Sequence, residues 1–278
     1  MSSVRELLAR GADRLRGGDA RIEATLLLAH GLGVSRAWLV AHGDDAIDNA
    51  HAVIFDSLIA GRANGEPVAY LTGARGFHGI ELQVTPDVLI PRPETELLVE
   101  LALQRIPIDA VSDIADLGTG SGAVALAIAR ERPRARIVAT DASESALAVA
   151  QRNATKLGLR KVEFAQGDWV AALADAREFD MIVSNPPYIA EGDPHLSQGD
   201  LRFEPRTALI SGPDGLDAIR IVVRGARAHL RDGGWLLFEH GYEQGEAVRM
   251  LLEQSDYTQV FTTRDLEGRE RVSGARSV

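Results

Sequence analysis

Two short segments of this 278-residue chain combine residue types at spacings that can do chemistry. The first is Asp116-Leu117-Gly118-Thr119-Gly120-Ser121-Gly122, between a strand-like and a helix-like stretch. Glycines there let the backbone come close to a ligand, and free amides at the start of the following helix can donate to its polar parts. The run Gly118-x-Gly120-x-x-Ala123 also satisfies the dinucleotide pattern, so the loop alone leaves the cofactor class open. Asp141 ends the next expected strand, nineteen residues beyond Gly122, where a carboxylate can receive both hydroxyls of a ribose. The same side chain also suits the N-cap of a helix beginning near Ser143.

The second segment is Ser184-Asn185-Pro186-Pro187-Tyr188, behind another expected strand. Two successive prolines remove two amide donors and leave carbonyl acceptors on a stiff turn. Asn185 adds a side-chain acceptor and Tyr188 an aromatic face. Together they can grip a planar NH2 group: two acceptors take its hydrogens, the ring stacks on its plane, and its nitrogen is aimed at an electrophile held by the glycine loop. As a bare pattern, Asn-Pro-Pro-Tyr also reads as a polyproline turn or a partner-binding ligand. Its place behind a strand and a glycine loop favours the grip.

Both segments need strand ends to hold them. From Asp113 onward the pattern alternates strand and helix, as in a mainly parallel sheet with helices on both faces. Strands are expected at 113–117, 136–141, 162–166, 179–184, 234–239, 259–264 and 271–274, and helices at 123–130, 143–157, 215–229 and 243–253. No helix-length segment separates the last two strands, which predicts an antiparallel hairpin at a sheet edge. The first sixty residues read as helices, one after Asp19 that stops at Gly31 and Gly33, another from about Ala46 to Ala63. Alternation from Gly76 to Val84 predicts a hairpin, and 94–104 a helix.

Composition narrows the function classes. The chain is 45% hydrophobic and 25% charged, which is ordinary for a folded globular protein. It has no cysteine, which excludes disulfides, thiolate metal sites and cysteine nucleophiles, and no metal site is expected. A net charge of −10 repels phosphate polyanions, so direct nucleic-acid binding is not expected. The first eighteen residues lack the apolar run of a secretion signal, and nowhere do eighteen apolar residues follow one another. A cytoplasmic chain with no membrane partner is therefore expected. His195 and His240 are read as surface or structural residues and no catalytic histidine is assigned.

In these motifs the chain resembles the class I S-adenosylmethionine-dependent methyltransferases, and within them the release factor glutamine methyltransferase family (PrmC/HemK). The resemblance rests on Pro67–Gly73, Leu89-Ile90-Pro91-Arg92-Pro93-Glu94-Thr95-Glu96, Asp116–Gly122, Asn185–Tyr188, Phe203-Glu204-Pro205 and Glu239-His240-Gly241. It implies an α/β fold: a Rossmann-like methyltransferase domain with a mainly parallel seven-stranded sheet and an antiparallel last strand. A small all-α domain would precede it, giving a substrate-docking domain at 1–70, a linker hairpin at 71–92 and the catalytic domain at 93–278. It implies that Gly118, Thr119, Gly120, Ser121 and Gly122 cradle S-adenosylmethionine, that Asp141 takes its ribose, that Asp168 and Trp169 meet its adenine, and that Asn185 also contacts the cofactor. Asn185 and the Pro186 carbonyl would hold a glutamine amide, with Pro187 and Tyr188 beside it. Ile90, Pro91 and Arg92 would form a lip over cofactor and substrate. Position 78 is His where the pattern leads one to expect an aromatic after Phe77.

The expected activity is methyl transfer to the glutamine of the Gly-Gly-Gln motif in a peptide chain release factor, by a monomer, leaving S-adenosylhomocysteine. Glutamine methylation of a ribosomal protein is the alternative, and amino-methylation of a nucleic acid base a more distant one. Nicotinamide redox chemistry fits the glycine loop but leaves Asn185–Tyr188 without a role, and a non-catalytic cofactor sensor fits least. The polar stretch Glu191–Arg206 is expected to border the protein substrate, with Arg202, Phe203 and Arg206 shaping its ordered end.

Overall fold

The computed structural model describes residues 2–15, 18–173 and 178–278. Its first helices are α1 (Val4–Leu15), α2 (Ala20–Leu32), α3 (Arg36–Ala41), α4 (Asn49–Ala63) and α5 (Val68–Thr72). Two-residue strands β1 (Ser2–Ser3) and β2 (Ala46–Ile47) pair antiparallel. That pairing occupies Ala46, so the helix expected from there starts at Asn49, where the Asp48 side chain accepts from the His51 amide at 3.0 Å. Asp19 holds the N-cap position of α2 without a side-chain bond, and Gly33, at φ 65°, ends that helix in the left-handed conformation. Leu7, Leu27, Leu28, Phe55 and Ile59 are fully buried in the core of this module. Gly11 lets α1 pass close to α4: a Cβ there would stand 2.6 Å from the Phe55 ring.

Contacts divide the chain into two units, one running up to Ala74 with Ser197–Phe203, the other Arg75–Leu196 with Glu204–Val278. This differs from the expected division at 70 and 92. The hairpin groups with the sheet because Phe77, Ile80 and Leu82 are buried in its core. Ser197–Phe203 groups with the helices because the Arg62 guanidinium, which grips Glu23 at 2.7 Å, also donates to Asp200 at 2.8 Å.

From Arg75 on, the second unit holds the hairpin of β3 (Ala74–Phe77) and β4 (Ile80–Gln83). His78 (φ 43°) and Gly79 (φ 73°) turn it, two positive φ values in succession as a tight two-residue hairpin requires. The helix α6 (Glu96–Arg105) follows, and then β5 (Asp113–Leu117), α7 (Ala123–Glu131), β6 (Arg136–Asp141), α8 (Glu144–Lys156), β7 (Glu163–Gln166) and β8 (Phe179–Ser184). The chain ends with α9 (Asp217–Ala226), β9 (Leu230–Glu239), α10 (Gly245–Gln254), β10 (Thr258–Arg264) and β11 (Glu270–Arg276).

The seven strands are ordered β10-β11-β9-β8-β5-β6-β7, all parallel except β11, which runs antiparallel to both neighbours. This is the class I methyltransferase fold expected from the sequence, with the expected antiparallel hairpin at one edge. Every residue of β5 is buried, and α7 is apolar and buried from Ala123 to Ile128, as a central strand and its packing helix must be. Two apolar clusters cover the sheet: Leu98, Ile114, Leu126 and Ile128 belong to one, and Phe179, Phe238, Ile219 and Val222 to the other. Helix α9 places Ile219, Val222, Val223 and Ala226 on one buried stripe at helical spacing.

The register decides where chemistry can sit. Leu117 on β5 lies opposite Thr140 on β6 and Ser184 on β8. Asp141 lies opposite Gln166 on β7, and Ser184 opposite Phe238 on β9. Five strands therefore end in one row, and the residues just past those ends are neighbours. β5 has β6 on one side and β8 on the other, the reversal of strand order at which open α/β sheets form a crevice.

Candidate functional site

A cavity of about 900 Å3 lies at that row of strand ends. The glycine loop forms one wall. Its shape is set from within: the buried Asp116 carboxylate accepts from the Thr119 hydroxyl at 2.7 Å and from the Ala125 amide at 3.1 Å. Burial pushes the Asp116 carboxyl up to about 6, against the pull of those two donors. The Thr119 amide donates to the Thr140 carbonyl at 2.8 Å, which ties the loop to β6. Gly120, at φ 56°, has open space where a Cβ would stand, and at Gly118, φ 71°, the same point lies 3.2 Å from the Trp169 ring. Both backbones take the left-handed conformation glycine adopts without penalty.

Asp141 lines the cavity and is held in place by two amides: Gly120 donates to Oδ2 and Ser143 to Oδ1, each at 2.9 Å. The N-cap of α8 is Ser143, whose hydroxyl accepts from the Ala146 amide, so Asp141 does not cap the helix with its side chain. Each oxygen keeps a lone pair for a further donor. Asp168 and Trp169 line the cavity beyond β7, with Trp169 at φ 47°. Gly118, Thr119, Gly120 and Ser121 line it as well, while Gly122 packs against Leu126 and Ala150 instead and forms the N-cap of α7.

Across from this, Asn185 and Pro187 line the cavity just past β8. The Ser184 hydroxyl donates to the Leu117 carbonyl at 2.8 Å, so the strand ends that carry the two motifs are bonded directly. The Asn185 side chain donates its NH2 to Thr95 Oγ1 at 3.0 Å, and the Thr95 hydroxyl donates to Glu239 Oε2 at 2.6 Å. The Tyr188 hydroxyl donates to Glu239 Oε1 at 3.0 Å. Burial, with Glu239 beside it, pushes the Tyr188 phenol up, so it stays a donor. Burial likewise raises the Glu239 carboxyl, opposed by the Thr95 and Tyr188 hydroxyls and by Arg271.

Pro186 and Tyr188 do not line the cavity, and neither do Ile90 and Arg92. Of the expected lip only Pro91 reaches it. Ile90 is 4% exposed, its amide donating to Glu204 Oε2 at 3.0 Å, and the Arg92 guanidinium pairs with the other oxygen of the same buried carboxylate. An ion pair to a side chain with no solvent contact turns Arg92 away from the cavity and pins the segment. His78 sits in the hairpin turn with its amide on Glu96, and is not a lining residue. His195 is exposed and pairs with Asp193, whereas His240 is buried between the Gly241 carbonyl and the Ser273 hydroxyl. Within Glu191–Arg206 the chain forms short 3-10 turns at Pro194–Ser197 and Gly199–Phe203, and the next turn starts at Arg206.

Two residues of this arrangement carry no role in the sequence reading: Thr95 and the Glu239 carboxylate. Glu239 directly follows Phe238, which lies opposite Ser184, so the strand order alone puts it beside Asn185. Among the described residues no group of three or more His, Asp or Glu side chains is placed to hold a metal ion, and no helix is long and apolar enough to cross a membrane.

Comparison with known proteins matches two family models, "PrmC N-terminal domain" at residues 6–73 and "Methyltransferase small domain" at 94–199. A release factor glutamine methyltransferase of Xylella fastidiosa is 54% identical over 276 residues, covering 99% of this chain and 98% of its own. Those of Burkholderia pseudomallei and Escherichia coli are 50% and 47% identical, covering 99% and 92% of this chain and the same shares of their own. Among solved structures, the 16S rRNA N2 G1207 methyltransferase of T. thermophilus, in complex with AdoMet and guanosine, matches with a TM-score of 0.55 at 24% identity, over 74% of this chain and 50% of its own. A methyltransferase of Pyrococcus furiosus gives 0.54 at 17% identity, over 72% and 90%. These two likenesses speak for the fold.

Proposed function

The chain belongs to the release factor glutamine methyltransferase family, and we propose that it methylates the side-chain amide nitrogen of the glutamine in the Gly-Gly-Gln motif of a peptide chain release factor. The observation that carries this reading is that Asn185 and the glycine loop line one cavity, on strand ends joined by the Ser184–Leu117 hydrogen bond. S-adenosylmethionine, when bound, supplies an electrophilic methyl group on a sulfonium. The residues fit it: open space over Gly120, an Asp141 carboxylate with lone pairs to spare for ribose hydroxyls, and Asp168 with Trp169 where an adenine would lie. We assign Gly118, Thr119, Gly120, Ser121, Asp141, Asp168 and Trp169 to the cofactor, with Gly122 shaping the loop by packing.

An amide nitrogen is a poor nucleophile because its lone pair is delocalised into the carbonyl. As it accepts a methyl group it becomes pyramidal and positive, and its hydrogens become stronger donors. Acceptors at those hydrogens, which we assign to Asn185 Oδ1 and the Pro186 carbonyl, stabilise that state more than the resting amide. Holding the nitrogen in line with the methyl group removes much of the entropic barrier, so no strong base is needed before attack; once methylated, the positive nitrogen gives up one of its two hydrogens as a proton to water, leaving the neutral methylamide. Pro187 completes the wall, and Tyr188 supports it from behind through its bond to Glu239. Arg92 and Ile90, which do not line the cavity, act by holding Pro91 in place. The helical unit serves substrate docking, for which its exposed Val40, Val53 and Ile54 offer apolar contact. Acting on a translation factor, the enzyme works in the cytoplasm, as a monomer.

The test is incubation with methyl-labelled S-adenosylmethionine and, separately, a release factor, the same factor with its Gly-Gly-Gln glutamine replaced, ribosomal protein, and DNA. Label in the first alone is expected. Label persisting in the replaced factor, or appearing only in ribosomal protein or DNA, contradicts the assignment.

A further inference from the structure

We propose that Glu239 and Thr95 form a relay that orients Asn185, turning its carbonyl oxygen and not its NH2 toward the substrate amide. The inference deepens the reading above and rests on Asn185 being the acceptor for a glutamine NH2. The two ends of an asparagine amide have nearly the same shape, and one accepts where the other donates. A glutamine nitrogen brings two hydrogens, so an Asn185 turned the wrong way would set NH2 against NH2. Something must fix the turn.

The hydrogen-bond arithmetic at Thr95 fixes it. Its hydroxyl oxygen lies 2.6 Å from Glu239 Oε2 and 3.0 Å from Asn185 Nδ2. A hydroxyl has one proton, and an ionised carboxylate has none to give. The Thr95 proton therefore goes to Glu239, only lone pairs face Asn185, and Asn185 must answer with its NH2. That leaves Oδ1 as the free end of the amide, on a residue that lines the cavity. The other carboxylate oxygen is held by the Tyr188 hydroxyl, so Glu239 cannot turn without losing a second bond. Glu239 is 1% and Thr95 3% exposed, so no bulk water competes for the proton. Burial and the Glu94 anion disfavour the charged carboxylate, while the Thr95 and Tyr188 hydroxyls and the Arg271 cation favour it; the relay takes Glu239 in that charged form, the one with an acceptor at each oxygen for the two hydroxyls. Glu239 is thus a positioning residue, acting on the substrate through Thr95 and Asn185.

Two near-isosteric changes test this. Glu239→Gln reverses the circuit: its NH2 donates to Thr95, the Thr95 proton passes to Asn185 Oδ1, and the Asn185 NH2 turns outward. Thr95→Val removes the relay and keeps the shape. Each is expected to lower kcat on a release factor by about tenfold to a hundredfold, by analogy with losing an aligned acceptor or donor, while the cofactor dissociation constant from calorimetry holds. Thr95→Ser, which keeps the hydroxyl, restores most of the turnover lost in Thr95→Val. Nuclear Overhauser contact between the Asn185 side-chain NH2 and the Thr95 methyl is expected in the wild type and lost in Glu239→Gln. Wild-type kcat in either isosteric variant, a Thr95→Ser as slow as Thr95→Val, or absence of that contact in the wild type overturns the relay. If one variant fails to fold, the other and the wild-type contact decide. A wild type that leaves the release factor unmodified refutes the functional reading instead, and the Overhauser contact then decides the relay alone.

Discussion

Two walls of the cavity rest on the same device, a buried carboxylate that accepts a threonine proton, and they use it for different ends. Asp116 accepts from Thr119 at 2.7 Å and from the Ala125 amide, all within ten residues of chain, and so fixes a backbone shape. Glu239 accepts from Thr95 at 2.6 Å and from Tyr188 at 3.0 Å, gathering residues from three distant parts of the chain, and so fixes the direction of one side-chain amide. A loop conformation is a local matter that a short run of glycines can encode. The sense of an amide depends on a proton, and the proton's place depends on which strands lie side by side.

The comparison predicts that damage to the two walls separates kinetically. The largest effect is expected at Asn185→Ala: loss of an acceptor at the reacting nitrogen lowers single-turnover rate by about 10²–10³-fold or more, with cofactor binding by calorimetry largely intact. A parallel loss of cofactor affinity would erase the distinction.

Next comes the pH dependence of stability at Asp116. Its carboxyl is raised from 3.8 to about 6 in the folded chain, so between those values the native state holds a proton that the unfolded state has released. Stability from this group is therefore full below pH 3.8 and is lost as pH rises through about 6, a change of at most about 3 kcal/mol. In urea titrations Asp116→Asn should gain on the wild type from pH 4 to pH 6 and run parallel above. A constant difference across that window would mean the carboxyl is not shifted.

Asp116→Ala also leaves the Thr119 hydroxyl and the Ala125 amide without their acceptor, at a cost of about 1–3 kcal/mol for each donor left buried. The cofactor dissociation constant should rise about tenfold or more, while kcat at saturating cofactor changes far less. If kcat falls and affinity holds, the glycine loop belongs to the chemical step and the comparison fails. At the floor, Asp44→Ala breaks an ion pair to Arg5 whose side chains are 85% and 73% exposed. It should move neither turnover nor melting temperature measurably.

The same contrast explains what the sequence discloses. The strands and helices from Asp113 onward are legible because they are short periodic runs, several of them ended by glycine or proline, and the glycine loop and Asn185–Tyr188 sit where such runs end. Helix α1 carries Gly11 in its interior, and the reason for it, the Phe55 ring lying where a Cβ would stand, is in another helix. The start of α4 shifts because Ala46 and Ile47 pair with Ser2 and Ser3, a partner no local pattern announces. Ile90 and Arg92 carry the resemblance strongly, yet Glu204, more than a hundred residues away, holds them off the cavity. Thr95 and Glu239 are legible only as motif letters, since their function depends on the adjacency of β8 and β9.

The central claim is that the free acceptor of Asn185 meets the nitrogen of a glutamine side chain. The most direct measurement is site localisation by tandem mass spectrometry on a release factor treated with the wild type and with Asn185→Ala. The account predicts a methyl group on the side-chain nitrogen of the Gly-Gly-Gln glutamine with the wild type and almost none with the variant. Methylation at any other position, or equal methylation by the variant, would contradict it.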